Sequence, residues 1–231
     1  MENKDIKLWD FHQDENRSHL KASYPRQNMI ANKIYKFLKK GSKILEIGFG
    51  DGYLLNKLAN SGFDVIGQDL SDKNIEITKK QWNNNKINFV LGDDSGKFKF
   101  NDNTLDGFIA SEVLEHMNDE QLNICISEIY RLLKKGGFAF LTFPAREKLK
   151  ISECMCPNCG EIFHKWGHKQ TWNNEKIKLL FDKFEIITLK EFVSRPKGTN
   201  VISEFIGYLK YIGGYILNMN KSYFVIIKKK S

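Results

Sequence analysis

The chain has 231 residues, a formal net charge of +8, 41% hydrophobic and 13% aromatic residues, which suits one α/β domain with insertions and a sizeable core. No apolar run is long enough to span a bilayer. The start, Met1-Glu2-Asn3-Lys4-Asp5, lacks the apolar core of a signal peptide, so the expected location is cytoplasmic. The charge is mostly lysine, scattered along the chain apart from Lys228-Lys229-Lys230. That is the pattern of a solvated surface rather than of a basic helix interleaved with aromatics for nucleic acid.

Residues 1–28 carry Trp9, Phe11, His12, His19, Tyr24, Pro25 and Arg26 without periodicity and read as a short helical or irregular arm. A helix is expected over 26–40, with Met29, Ile30, Ile34, Phe37 and Leu38 on one face and Gly41 closing it. The first strand, Lys43–Ile47, runs into Gly48-Phe49-Gly50-Asp51-Gly52, and a helix from Tyr53 buries Leu54, Leu55 and Leu58. Strand two, Asp64–Gln68, ends on Asp69-Leu70; a helix covers about 72–82; strand three, Asn88–Leu91, ends in Gly92-Asp93-Asp94. After a turn-rich loop, strand four is Leu105–Ala110, followed by Ser111-Glu112-Val113-Leu114-Glu115-His116. A helix over 119–134 has Leu122, Ile126, Ile129, Leu132 and Leu133 on its core face and stops at Gly136-Gly137. Strand five is Phe138–Phe143, ended by Pro144. A helix over about 172–183, strand six at Glu185–Val193, an apolar segment over 199–219 and a last strand at Ser222–Ile227 complete the chain. Strands alternating with helices predict a parallel sheet with right-handed crossovers.

Glycines at alternate positions let the first strand turn tightly and bring backbone close to a ligand at a helix N-terminus. The dinucleotide fingerprint needs a glycine where this chain has Tyr53. Asp69, about twenty residues beyond the first glycine at the end of strand two, stands where a carboxylate grips a ribose; an N-cap of the next helix is the structural alternative. The run Glu46-Ile47-Gly48-Phe49-Gly50-Asp51-Gly52 resembles the first motif of the class I S-adenosylmethionine-dependent methyltransferases, and Leu105–Ala110 resembles their fourth. The resemblance covers residues 40–145 by motif and the rest by element order. It implies a doubly wound, mostly parallel seven-stranded sheet with an antiparallel last strand. It implies that Gly48, Gly50 and Gly52 wrap the methionyl part of S-adenosylmethionine, that Glu46 orients its amino end, and that Asp69-Leu70 lies at the ribose. Asp93, with Asp94 beside it, would read the adenine, unless it is a turn aspartate. Ser111 and Glu112 would border the methyl-transfer end, and the N-terminal arm over 1–40 would act as a lid touching the cofactor through Tyr24 and Arg26, where surface packing is the ordinary alternative.

Two clusters carry further chemistry. In Glu112-x-x-Glu115-His116, a helix beginning near Ser111 would put all three side chains on one face, a set for Mg²⁺; lining the methionine pocket is the metal-free reading. His116, with Glu112, is the candidate catalytic pair, His116 as general base. Residues 146–170 contain Cys154-x-Cys156-x-x-Cys159 and then His164 and His168. Without an export signal this spacing argues for metal rather than disulfides. Cys156, Cys159, His164 and His168 are the expected ligands of a structural Zn²⁺, with Cys154 able to replace a histidine. Cys125, alone in a helical pattern, is expected to be buried. The zinc loop follows strand five at the ligand-binding edge of the sheet, so Phe163, Trp166 and Trp172 are expected as walls of the acceptor pocket.

The expected activity is methyl transfer from S-adenosylmethionine to oxygen or nitrogen of a small-molecule, sugar- or lipid-linked acceptor. A metal-assisted RNA 2′-O-methyltransferase and a non-catalytic nucleic-acid-binding module are the alternatives. The segment 199–219 reads as core packing, a homodimer contact or a substrate cover.

Overall fold

The computed structural model describes residues 7–8, 10–11, 17–193 and 221–230; the segment 199–219 lies outside them. Helix α1 (Tyr24–Phe37) precedes β1 (Lys43–Ile47), α2 (Tyr53–Asn60), β2 (Asp64–Asp69), α3 (Asp72–Trp82) and β3 (Ile87–Leu91). Then come β4 (Leu105–Ser111), α4 (Asp119–Leu132), β5 (Leu133–Pro144), the short strands β6 (Glu153–Met155) and β7 (Ile162–His164), α5 (Asn174–Leu180), β8 (Phe184–Val193) and β9 (Lys221–Lys229). The main sheet has seven strands in the order β3-β2-β1-β4-β5-β9-β8. Strands β1 to β5 pair in parallel, and β9 enters antiparallel between β5 and β8. This is the doubly wound architecture the alternation of elements implies. Among the described residues, no helix is long and apolar enough to cross a membrane.

Both faces of the sheet are covered, which is why its central strands are almost wholly apolar. On one face Ile30, Ile34, Leu54, Leu58 and Ile75 of α1, α2 and α3 pack on Ile44, Val65 and Ile109. On the other, Leu122, Cys125, Ile129, Ile177 and Phe181 of α4 and α5 pack on Leu45, Phe108 and Leu141. Cys125 is fully buried.

Helix ends obey local chemistry. Ser71, not Asp69, caps α3: its side chain accepts the Asn74 N–H. A reciprocal capping box between Asn118 and Gln121 starts α4. At the far end α4 stops at Leu132, before the expected glycines, because Leu133 is already extended and β5 begins there. Gly136 and Gly137 instead occupy the irregular stretch of β5 between its pairings with Leu105 and Gly107. Past β5, the polypeptide forms the β6–β7 hairpin and returns through Trp172, which is 1% exposed and stacks on Phe143 at 3.9 Å between ring centroids. Trp172 is therefore core, not a pocket wall. Phe163 and Trp166 are exposed on the hairpin and its exit, so they do not wall a pocket either.

Candidate cofactor and acceptor site

The carboxyl ends of β1, β2, β3 and β4 open onto one cleft of about 980 Å³ that includes its solvent-open mouth. This is where open α/β sheets bind ligands. The glycine loop forms its floor. Gly48 has φ of +58° and a Cβ there would lie 2.7 Å from Val113 Cγ2; Gly52, at φ +72°, would meet Thr78 Cγ2 at 2.5 Å. Neither position has room for a side chain, and Gly52 also caps α2 in the left-handed conformation. Gly48 lines the cleft, whereas Gly50 and Gly52 shape the loop behind it.

Glu46 does not line the cleft. It is 2% exposed, and its Oε2 has no hydrogen-bond partner among the described residues. Burial, then the charge of Asp51, raises its pKa well above the usual carboxylate range. Asp51, also 2% exposed, accepts hydrogen bonds from Tyr24 Oη at 2.7 Å and Tyr53 N at 3.1 Å. Tyr24 stacks on Tyr53 with centroids 3.9 Å apart, which ties the N-terminal arm to the glycine loop. Burial first, then the hydrogen bond to Asp51, raises the Tyr24 pKa, so its hydroxyl stays a donor. Acidic groups buried beneath a glycine loop disfavour the pyrophosphate of a dinucleotide and favour a cationic group, whose charge would let Glu46 ionise. The amino and sulfonium groups of S-adenosylmethionine fit those acceptors.

Asp69 is buried at the end of β2 and lines the cleft with Leu70. Its Oδ1 accepts from Ser71 N at 3.0 Å and its Oδ2 from Asn74 Nδ2 at 2.9 Å, which holds the carboxylate rigid. Asp93 and Asp94 line the exposed rim. Asp93 accepts bonds from the Ser95 hydroxyl and from Ser95 N, which lower its pKa in that order. It is thus a turn aspartate and a rim residue at once. From the arm, Leu8 reaches the cleft, and Asp10 accepts the Ser71 hydroxyl at 2.5 Å.

At the acceptor end the structure regroups the expected residues. Glu112 has φ of +57°, a left-handed backbone that costs a non-glycine residue of order 1 kcal/mol or more. This breaks the expected helix: only Leu114–His116 forms a single 3₁₀ turn. Glu112 consequently falls outside the close group of Glu115, His116 and His168 and faces Arg26, with 3.9 Å between Nη1 and Oε1. Arg26 Nε also donates to Ser111 Oγ at 3.2 Å, and that hydroxyl lies 3.0 Å from Thr142 Oγ1. Ser111 does not line the cleft; Glu112 and His116 do. Burial first, then neighbouring His168, pushes the His116 pKa down to about 3, so the ring is neutral near pH 7 and a weak proton acceptor.

His164 and His168 are not brought together with the two thiols. Among the described residues, the groups whose ligand atoms lie within 4.8 Å of one another are Glu115–His116–His168 and Glu147–His164–His168. His168 Nδ1 sits 2.5 Å from Glu147 Oε2, and His164 Nε2 sits 3.4 Å from Glu147 Oε1. His164 Nδ1 accepts the backbone N–H of His168 at 3.1 Å. A neutral His164 therefore carries its proton on Nε2, the atom a metal would need. Burial opposes the charge on Glu147, yet its contacts with His168 and His164 hold its pKa below the usual range. Glu115 is wholly buried and, among the described residues, neither carboxylate oxygen has a hydrogen-bond partner. Burial, then the charge of Glu112, raises its pKa well above normal. Its backbone carbonyl accepts Lys169 N at 2.7 Å and Gln170 N at 3.0 Å, which fastens the insertion to the site.

Several cleft residues, Val113, Met117, Gln121 and Gly167 among them, carried no motif. Glu147 also escaped notice, because a lone Glu after Arg146 has no spacing that links it to His168.

Comparisons with known proteins agree with this geometry. Residues 45–141 match the family described as "Methyltransferase domain". A ubiquinone biosynthesis O-methyltransferase of Pelagibacter ubique is 33% identical over 125 residues, which cover 53% of this chain and 51% of that protein. The chain thus spans about half the length of that curated relative. Among solved structures, the partner of the Haloferax volcanii Trm112 methyltransferase activator in their complex aligns over 98% of this chain and 97% of its own, with a TM-score of 0.76 and 15% identity. The N-methyltransferase NodS of Bradyrhizobium japonicum, solved with S-adenosyl-L-homocysteine, aligns over 99% and 100% with a TM-score of 0.69 and 15% identity.

Proposed function

We propose that the chain, whose residues 45–141 match the family described as "Methyltransferase domain", is a class I S-adenosylmethionine-dependent methyltransferase that transfers a methyl group to oxygen or nitrogen of a small-molecule, sugar- or lipid-linked acceptor. The observation that carries this reading is Glu46, a buried carboxylate with an unpartnered oxygen beneath the glycine loop, beside Asp51. The cofactor would be held by the Gly48 backbone at its amino-acid end, with Glu46 buried behind the loop, by Asp69 at the ribose and by the rim around Asp93. S-adenosylmethionine supplies an electrophilic methyl on a sulfonium. The chain's own task is to orient the acceptor and exclude water, which yields much of the rate. Leu8, Phe98, Val113 and Met117 give the cleft apolar walls for this, while Glu112 and His116 are its polar groups at the acceptor end. Calorimetry with S-adenosylmethionine should show binding that Asp69→Ala weakens about 10-fold or more, as the loss of a charged hydrogen-bond acceptor implies. Unchanged affinity in that variant, or no binding to the wild type, would remove the reading.

One observation favours a metal-assisted form of the same transfer. Glu115, with both oxygens unpartnered, gathers with His116 and His168, and Glu147 takes the other ring nitrogen of His168 as a carboxylate does behind a metal-bound imidazole. A cation there would supply Lewis acidity toward an acceptor hydroxyl. Two imidazoles and one carboxylate suit Mn²⁺, Fe²⁺ or Zn²⁺ better than Mg²⁺. The check is turnover after chelation and return of each ion. Turnover that chelation leaves untouched, together with no Mn²⁺ binding by calorimetry, would leave only the metal-free form.

A further inference from the structure

The thiols left behind by the two histidines form a feature of their own. Strands β6 and β7 pair antiparallel, with Cys154 opposite Phe163. At the tip Cys156 N donates to Glu161 O at 2.8 Å and Gly160 N donates to Cys156 O at 2.9 Å, with Gly160 in the left-handed conformation that the turn requires. The Cys156 thiol receives the backbone N–H groups of Cys159 and Asn158 and faces the Cys159 thiol. This knuckle brings two sulfurs together, as a soft divalent ion requires. It supplies only two of four tetrahedral positions. Cys125 is sealed in the core, His164 and His168 are engaged with Glu147, and Cys154 forms no group of three metal-capable residues with the knuckle.

The surroundings point outward. Of the nine exposed large hydrophobic residues among the described ones, five belong to this hairpin and its flanks: Ile151, Met155, Ile162, Phe163 and Trp166. Such a patch marks an interaction surface. A two-ligand half-site fringed by apolar side chains is self-complementary under a two-fold axis, where the same patch serves both subunits.

We propose that Cys156 and Cys159 hold one half of a tetrahedral Zn²⁺ site whose other half is the same cysteine pair of a second copy of this chain. The zinc-bridged hairpins then form a dimer contact, sealed by Met155, Ile162, Phe163 and Trp166. Four thiols lose their protons as the metal binds, so assembly releases protons and is zinc-dependent. The inference is independent of the methyl-transfer reading.

The test uses the full chain, with zinc measured by elemental analysis and mass by light scattering. The expected result is one zinc per two chains in a dimer that dissociates on chelation, with the dissociation constant rising at least 10-fold, and that re-forms when Zn²⁺ alone is returned. Cys159→Ser should be a monomer without the bridging zinc whose circular dichroism matches the wild type's, which shows that it is folded. Cys154→Ser should keep both metal and dimer. One zinc per monomer, a dimer that survives chelation, loss of zinc in Cys154→Ser, or no zinc at all would each overturn the proposal.

Discussion

The cleft is built by two regions that work in different ways. Its cofactor side comes from short stretches at the ends of successive strands: Gly48 after β1, Asp69 on β2, Asp93 after β3. Behind its other side, lined by Glu112, His116 and Gly167, residues distant in sequence meet: Glu147 with His168, and the Glu115 carbonyl with Lys169 N and Gln170 N of the insertion. In the first region the strand–turn–helix unit alone orients the functional group. In the second, only packing does. Recognition of a common cofactor can thus be carried by local geometry, while the acceptor end is set by how a loop docks.

That contrast can be broken at its joint. Trp172→Ala removes the stacked, fully buried ring that ends the insertion on Phe143. It should cost about 3–5 kcal/mol of unfolding free energy, measured by denaturant titration; a cost below about 1 kcal/mol would mean that the insertion is not anchored through this ring. The cofactor side should fail locally instead. Gly48→Ala places a methyl 2.7 Å from Val113 Cγ2 at φ +58°, and should lower S-adenosylmethionine affinity about 100-fold, or about 2.7 kcal/mol, far more than it changes global stability. Equal affinity in calorimetry would show that the loop can shift at no cost.

Smaller effects sharpen the comparison. Glu128 accepts the Phe98 N–H and pairs with Arg131, which bridges the loop under the cleft to α4. Arg131 holds the Glu128 carboxyl below its usual range, ahead of the opposing effect of burial. A depressed carboxylate contributes stability above the unfolded-state pKa, and that contribution is lost as pH falls through the folded value. Wild-type stability should therefore drop below about pH 4 by about 1 kcal/mol more than that of Glu128→Gln, seen as converging melting temperatures in acid. Last, Glu112→Gly relieves a left-handed backbone. It should raise stability by about 0.5–1 kcal/mol, measured by denaturant titration, and a loss of stability would mean that Glu112 is held by contacts rather than strained.

Much of the cofactor side was legible because its signals are local. Three glycines at alternate positions, an acid two residues earlier and an acid about twenty residues later each define a backbone conformation or a strand end, and the sheet order follows from alternating strands and helices. The acceptor side was misread where tertiary contacts overrode spacing. Glu112-x-x-Glu115-His116 looked like one helical face, but the backbone reverses at Glu112 and Arg26 draws that carboxylate away. Cys156, Cys159, His164 and His168 had plausible ligand spacing, but β7 turns His164 inward to Glu147 while the thiols stay at the hairpin tip.

What the sequence alone determined is therefore the scaffold and the glycine loop and strand-end acids that line one side of the cleft, since strand period, glycine placement and helix capping act over a few residues. What only the tertiary structure decided is which charged groups meet at the acceptor end. Burying an imidazole is tolerated best beside a partner, and Glu147, the partner of His168, is brought near by docking of a loop that no local pattern encodes.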